Sequence, residues 1–90
     1  MVGFSLYYYQ NGIMSNMENK NHTNILPIRL KQLRQERGLT QQQLADDLGL
    51  NSVTYLRYEK GQREPSIDLL IIFAEYFDVS IDFLVGISDF

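Results

Sequence analysis

Three cationic side chains near the middle of the chain, Arg57, Lys60 and Arg63, follow one another at intervals of three residues. A guanidinium group can donate two hydrogen bonds to O6 and N7 of guanine, and both Arg and Lys neutralise phosphate charge. Arg57 is therefore the strongest candidate for a guanine contact, with a phosphate clamp as the alternative. We expect Lys60, Arg63 and the intervening Gln62 to contact the nucleic-acid backbone or the minor groove.

Polar and apolar residues at the starts of two short predicted helices supply further candidates. Gln41 begins the first of them, where a backbone N–H and a side-chain amide can reach one phosphate. Asn51, Ser52 and Val53 open the second, the part of a reading helix that is best placed for base edges. Asn51 can equally serve only as the helix cap. Val53 can contact a thymine methyl group and Leu56 the groove or its rim, or either can pack against the preceding helix.

The two helices that must position these side chains are predicted from local signals. Thr40 followed by Gln43 is a capping box, which satisfies backbone donors at a helix start. Ala45 is small enough to let a second helix approach closely, and Gly49 supplies the left-handed residue at which a helix stops. Two helices joined by a short turn that contains glycine are typical of a helix-turn-helix unit. The second helix of such a unit enters the major groove of DNA.

Helical periodicity extends over the rest of the chain and predicts an all-α fold. The first helix begins near Pro27, which suits a first helical position, and buries Leu26, Leu30 and Leu33. We read no strand and no internal repeat, so the expected architecture is a compact five-helix bundle. The five helices are placed at about residues 27–38, 41–48, 52–60, 67–77 and 81–85.

The fourth predicted helix is apolar almost all round, which is typical of a helix that is covered on more than one side. The core face is predicted to comprise Ile67, Leu70, Ile71, Ala74 and Phe77. A second apolar stripe is formed by Leu69, Ile72 and Tyr76. Left exposed on so small a domain, this stripe would be a costly apolar patch, and a two-fold contact of the surface with itself would cover it. Folding of the N-terminal residues over this helix within one monomer is the competing explanation. The dimer interface is predicted to comprise Leu69, Ile72, Tyr76, Ile87 and Phe90.

A family resemblance rests on segments that occur in order and without gaps: residues 30–34, 38–41, 44–45, 48–49, 57–61, 63–66 and 77–84. They resemble the Cro/repressor-type helix-turn-helix domain of phage repressors and bacterial transcriptional regulators, and the resemblance covers about two-thirds of the chain. It implies a five-helix domain that binds operator DNA as a dimer. Arg34 and Glu59 match a pair that in the family ties the first helix to the end of the third. The chain departs from the family at Val53 and Leu56, where small hydroxyl residues are common.

Composition excludes several other classes of protein. There is no cysteine and the one histidine, His22, lies in the irregular N-terminal part, so we expect no enzyme, no metal site and no cofactor. No apolar run is long enough to cross a membrane, and we expect a cytoplasmic protein. The net charge is −3, yet residues 27–65 carry seven basic and five acidic residues, whereas residues 66–90 carry five acids and no base. This asymmetry indicates one face toward phosphate.

The organisation that follows is an N-terminal extension over residues 1–24, irregular or packed on a partner, and a helix-turn-helix DNA-binding domain over residues 25–90. Only four residues follow Gly86, so we expect no fused ligand-sensing domain. The predicted function is sequence-specific binding of double-stranded DNA by a transcriptional regulator, a repressor that acts as a dimer on a palindromic operator. The alternative is an antitoxin-like or adaptor protein whose fourth helix binds a partner protein.

Overall fold

The structure, a computed structural model, describes residues 21–90, with side chains described from residue 25. The first twenty residues of the predicted N-terminal extension lie outside the described residues. No strand occurs over residues 21–90, so the predicted all-α fold is confirmed there. Within the described residues the helices are α1 (Asn21–Glu36), α2 (Gln41–Leu48), α3 (Ser52–Glu59), α4 (Ile67–Phe77) and α5 (Ile81–Val85).

The start of α1 differs from the prediction. Pro27 lies inside the helix, which begins at Asn21 rather than at the proline, so part of the predicted extension is helical. Proline has no backbone N–H and disfavours helical dihedral angles in the residue before it, which is why the sequence suggested a start at Pro27, yet the helix continues through this position. The Pro27 ring also packs beside the turn that follows α3, with Cγ 3.4 Å from the position of a Cβ at Gly61.

The connection between α2 and α3 forms as its residues predict. The Thr40 hydroxyl accepts the Gln43 N–H at 3.0 Å, and the Gln43 side chain accepts the Thr40 N–H at 2.8 Å, which completes the capping box. Gly49 ends α2 with φ at +71°. The Leu50 N–H donates to the Ala45 carbonyl at 2.8 Å, which closes the turn in the manner of a glycine-terminated helix.

The core brings four of the helices together around aromatic rings. Phe73 of α4 is fully buried, and its ring meets those of Tyr55 and Tyr58 edge to face, each with centroids 6.2 Å apart. Ala45 of α2 is fully buried, as a small residue at the crossing of two helices should be, and Leu30 of α1 is fully buried as well. The back of α3 is therefore held against α1, α2 and α4 by close packing.

The buried face of α4 is rotated relative to the prediction. Ile67 and Ile71 were expected in the core, but they are 72% and 39% exposed. Phe73, which the predicted core face omitted, is fully buried instead. Since α4 is apolar almost all round, its periodicity does not indicate which side is buried. The rings of Tyr55 and Tyr58 in α3 pack against Phe73, and this contact places the Phe73 side of α4 in the core. Leu69 and Tyr76, predicted for a dimer interface, are half-buried and pack against the core.

Candidate nucleic-acid interface

One side of α3 faces away from the core. Val53, Leu56, Arg57 and Lys60 are spaced i, i+3, i+4 and i+7, so they lie along a single stripe of the helix, which we call the α3 stripe. Val53 is 54% exposed, Arg57 and Lys60 are exposed, and Leu56 is half-buried. The buried residues Tyr55, Tyr58 and Glu59 lie on the opposite side of the helix. The helix thus presents an apolar and cationic surface that the domain itself does not use.

The first residue before α3 has a structural role that the sequence left undecided. The side-chain oxygen of Asn51 accepts the N–H groups of Val53 at 2.8 Å and Thr54 at 3.3 Å, so Asn51 is the helix cap. The side-chain NH2 group of Asn51 remains free to donate hydrogen bonds. Ser52, the first helical residue, is half-buried beside the stripe.

Gln41 is tied into the protein at the start of α2. Its side-chain amide donates to Oε1 of Glu59 at 3.1 Å, and the side chain is half-buried. The side-chain amide, one of the two groups of Gln41 predicted to reach a phosphate, therefore donates a hydrogen bond within the protein. The backbone N–H of Gln41 lies in the first turn of α2, where helical partners are lacking, and this position favours an anion.

Arg34 and Glu59 form the ion pair that the resemblance implies. Nε of Arg34 lies 2.6 Å from Oε2 of Glu59, and Nη2 lies 3.2 Å from Oε1, so the contact is bidentate. Each residue is only 9% exposed. The third guanidinium nitrogen donates to the Leu39 carbonyl at 2.7 Å. The pair joins α1 to the end of α3, and the additional bond holds the chain that leads into α2.

The Glu59 carboxylate accepts hydrogen bonds from Arg34, from the Tyr55 hydroxyl and from Gln41. Burial alone would raise the pKa of Glu59, but these three donors together lower it below its usual value. Burial and the neighbouring carboxylate raise the pKa of the Tyr55 hydroxyl, which remains a neutral donor. The hydrogen bond to Glu59 raises the pKa of Arg34. A charged carboxylate with neutral and cationic donors around it is the stable state at neutral pH.

The tyrosine and glutamine contacts of Glu59 were missed by sequence reasoning. Tyr55 and Glu59 are four residues apart and share a helix face, which is a signal available in the sequence. The contact from Gln41 carries no such signal, because it joins two helices whose relative placement follows from tertiary packing.

Two basic residues counted toward a DNA-facing surface have contacts within the domain. The Arg29 guanidinium donates to the Phe83 carbonyl and to the Ser88 carbonyl, the latter at 2.7 Å, and lies 4.1 Å from the centroid of the Phe83 ring. Arg37 lies over the ring of Phe77 at 5.5 Å. With Arg34 buried in its pair, the exposed cations near α3 are fewer than the basic count of residues 27–65 suggests.

Tyr76 also has partners within the domain. Its hydroxyl donates to Oδ2 of Asp47 at 2.6 Å, which joins α4 to α2, and the Arg37 guanidinium lies 5.7 Å from the ring centroid. The Asp47 contact raises the pKa of the Tyr76 hydroxyl. A role for Tyr76 at a dimer interface would have to accommodate these contacts.

The described residues also bear on other classes of function. In the part of the chain whose side chains are described, no group of three or more His, Cys, Asp or Glu is arranged to hold a metal ion. In the same part of the chain no helix is both long and apolar enough to cross a membrane.

Comparisons with known proteins agree with this geometry. A model of the helix-turn-helix family matches residues 30–84. The uncharacterised transcriptional regulator YobD of Bacillus subtilis is 41% identical over 61 residues, which cover 68% of this chain and 54% of YobD. The cryptic phage CTXphi transcriptional repressor RstR of Vibrio cholerae is 36% identical over 61 residues, 68% of this chain and 55% of RstR. The chain spans about half the length of the curated relatives it matches.

The buried pair gives a first prediction. Arg34→Ala and Glu59→Ala should each lower the free energy of unfolding by roughly 3–5 kcal/mol, because each leaves an unpaired buried charge. The double variant should lose less than the sum. Thermal melts of the wild type, the two single variants and the double variant measure the coupling energy. As a control, Lys31→Ala removes an exposed cation of α1, and its effect should add to that of Glu59→Ala. Additive losses for Arg34 and Glu59 would contradict a direct contact.

The lowered pKa of Glu59 gives a second prediction. Because its pKa is lower in the folded than in the unfolded chain, its contribution is complete above the usual carboxyl range near pH 4 and is lost as the pH falls through the folded value. Glu59→Gln should therefore lose less stability than the wild type between pH 7 and pH 3. Chemical denaturation at both pH values tests this. Glu36→Gln, at an exposed position, should track the wild type, and equal losses for all three proteins would refute the assignment.

Proposed function

The chain belongs to the helix-turn-helix family, and we propose that it is a transcriptional regulator that binds double-stranded DNA sequence-specifically through α3. The observation that carries the proposal is the division of α3 into a buried face and the α3 stripe. In helix-turn-helix proteins the second helix of the unit lies in the major groove. If α3 binds DNA in this way, the α3 stripe faces the bases.

The chemistry of individual residues supports specific roles in that complex. Arg57 carries the fork geometry that pairs with O6 and N7 of guanine. Lys60 and Arg63 are exposed at and beyond the end of α3, together with Gln62, and suit phosphate contacts. The first-turn N–H of Gln41 is the matching contact from α2.

Repression by a dimer on a palindromic operator extends the proposal. Repression is the role given in the name of the relative RstR. Ile72, Ile87 and Phe90 are exposed apolar residues, at 43%, 66% and 91%, and a two-fold contact would cover them. Two reading helices about 34 Å apart would then meet successive major grooves and require a symmetric site. Leu69 and Tyr76 would contribute only their exposed parts.

A second candidate is an antitoxin-like or adaptor role in which α4 binds a partner protein. The exposed face of α4 carries Ile67, Ile71 and Ile72 together with Asp68 and Glu75. No basic residue occurs over residues 66–90. A two-fold pairing centred on this face would bring acidic residues of the two copies together, whereas a partner with an apolar surface and basic rim would pair with them.

DNA binding through the α3 stripe gives a third prediction. Arg57→Ala should cost about 1–3 kcal/mol on a duplex selected from random sequences and should relax the preference at one base pair. Lys60→Ala should weaken selected and scrambled duplexes alike and reduce the dependence on salt. Fluorescence anisotropy measures both effects. Lys31→Ala, an exposed cation on α1, serves as the matched control.

Equal affinity of the wild-type protein for selected and scrambled duplexes would contradict sequence-specific binding. A loss of affinity in Lys31→Ala as large as that in Arg57→Ala would contradict the assignment of the interface to α3.

The proposed dimer gives a fourth prediction. Ile72→Glu should convert the full chain from dimer to monomer at micromolar concentration, because a charge would be buried at the contact. Analytical ultracentrifugation gives the mass. Ile28→Glu, at a 55% exposed position of α1, should leave the dimer intact. A wild-type monomer at these concentrations would contradict the dimer and favour the partner-protein role of α4.

A further inference from the structure

We propose that Val53 binds the C5 methyl group of a pyrimidine in the major groove, with Leu56 as the adjacent wall of the contact. The ligand is the methyl group itself, whether it is carried by thymine or by 5-methylcytosine. The inference rests on the proposed DNA-binding function and names the chemical group to which the reading helix responds.

The first support is the exposure of an apolar side chain that has no structural use. Val53 is 54% exposed, while the buried face of α3 is formed by Tyr55, Tyr58 and Glu59. Leu56, three residues on, lies on the same side of the helix and is half-buried. Two hydrocarbon side chains thus stand at the N-terminal half of the α3 stripe, and burial of a methyl group against them removes apolar area from water.

The second support is the absence of hydrogen-bond acceptors along the α3 stripe. Arg57 and Lys60 donate only, and Val53 and Leu56 have no polar atoms. The side-chain oxygen of Asn51 already accepts two backbone N–H groups, at 2.8 and 3.3 Å, so it cannot also serve the amino group of adenine. The amino groups of adenine and cytosine therefore meet no acceptor on the stripe. Its side chains can read methyl groups and the acceptor edges of guanine and thymine.

The spacing of the stripe limits where the methyl group lies. Val53 and Arg57 are four residues apart, which is about 6 Å along the helix axis. Successive bases of one DNA strand are separated by about 3.4 Å. The pyrimidine contacted by Val53 should therefore lie within about two base steps of the guanine contacted by Arg57.

A response to the C5 methyl group has a regulatory consequence. The methyl group distinguishes 5-methylcytosine from cytosine in the major groove, as it distinguishes thymine from uracil. A cytosine at the sensitive position would therefore make affinity depend on whether that base is methylated.

Single deoxyuridine substitutions provide the direct test, because each removes one methyl group and leaves base pairing unchanged. Each thymine of a duplex selected for binding to the full chain is replaced in turn, and the Kd is measured by fluorescence anisotropy. We expect a loss of about fourfold at a position near the Arg57 guanine, the change that burial of one methyl-sized group predicts. Val53→Ala should reduce this difference, because most of the hydrocarbon that contacts the methyl group is then removed while Leu56 remains. Ile28→Ala, matched at 55% exposure, should keep the difference.

A second arm separates the methyl group from the rest of the thymine base. At the sensitive position, replacement of the T·A pair by C·G should weaken binding. The duplex with 5-methylcytosine at that position should bind about fourfold more tightly than the duplex with cytosine. Deoxyuridine duplexes that all bind like the thymine duplex, or a sensitivity that is undiminished in Val53→Ala, would overturn the inference while leaving sequence-specific binding intact. Equal binding of selected and scrambled duplexes would overturn both.

Discussion

The orientation of α3 depends on one buried carboxylate. Glu59 accepts hydrogen bonds from Arg34 of α1, Gln41 of α2 and Tyr55 of its own helix. Three helices therefore converge on two oxygen atoms of one side chain. Because an unpaired charge in this position is expensive, the network permits one arrangement of the helices and penalises others. What the α3 stripe can contact follows from that arrangement.

The rest of the domain supports the same helix from behind and from its ends. The Phe73 ring packs edge to face against Tyr55 and Tyr58, so α4 supports the buried side of α3. Arg29 joins α1 to α5 and to the residues that follow it through backbone carbonyls. Basic residues thus serve two purposes in this chain, since some hold the domain together and others remain available for phosphate.

Local features were predictable from the sequence, and features set by tertiary packing were not. The Thr40 capping box and the Gly49 helix end depend on neighbours in the chain, and both formed as expected. The buried face of α4 was predicted wrongly, because an almost wholly apolar helix carries no periodic signal for its orientation. The partners of Arg29 are backbone carbonyls, which every residue offers, so no pattern indicated them. The Arg34–Glu59 pair was accessible only through the family resemblance.

We infer that the Glu59 network sets the orientation of α3 relative to α1. Residual dipolar couplings of backbone amides measure that orientation in the wild type and in an Arg34→Met/Tyr55→Phe/Glu59→Met variant, whose apolar replacements avoid stranded charges and preserve folding. We expect each helix to keep its internal couplings while α3 changes orientation relative to α1 or samples several orientations. A variant in which α3 retains the wild-type orientation would contradict the account.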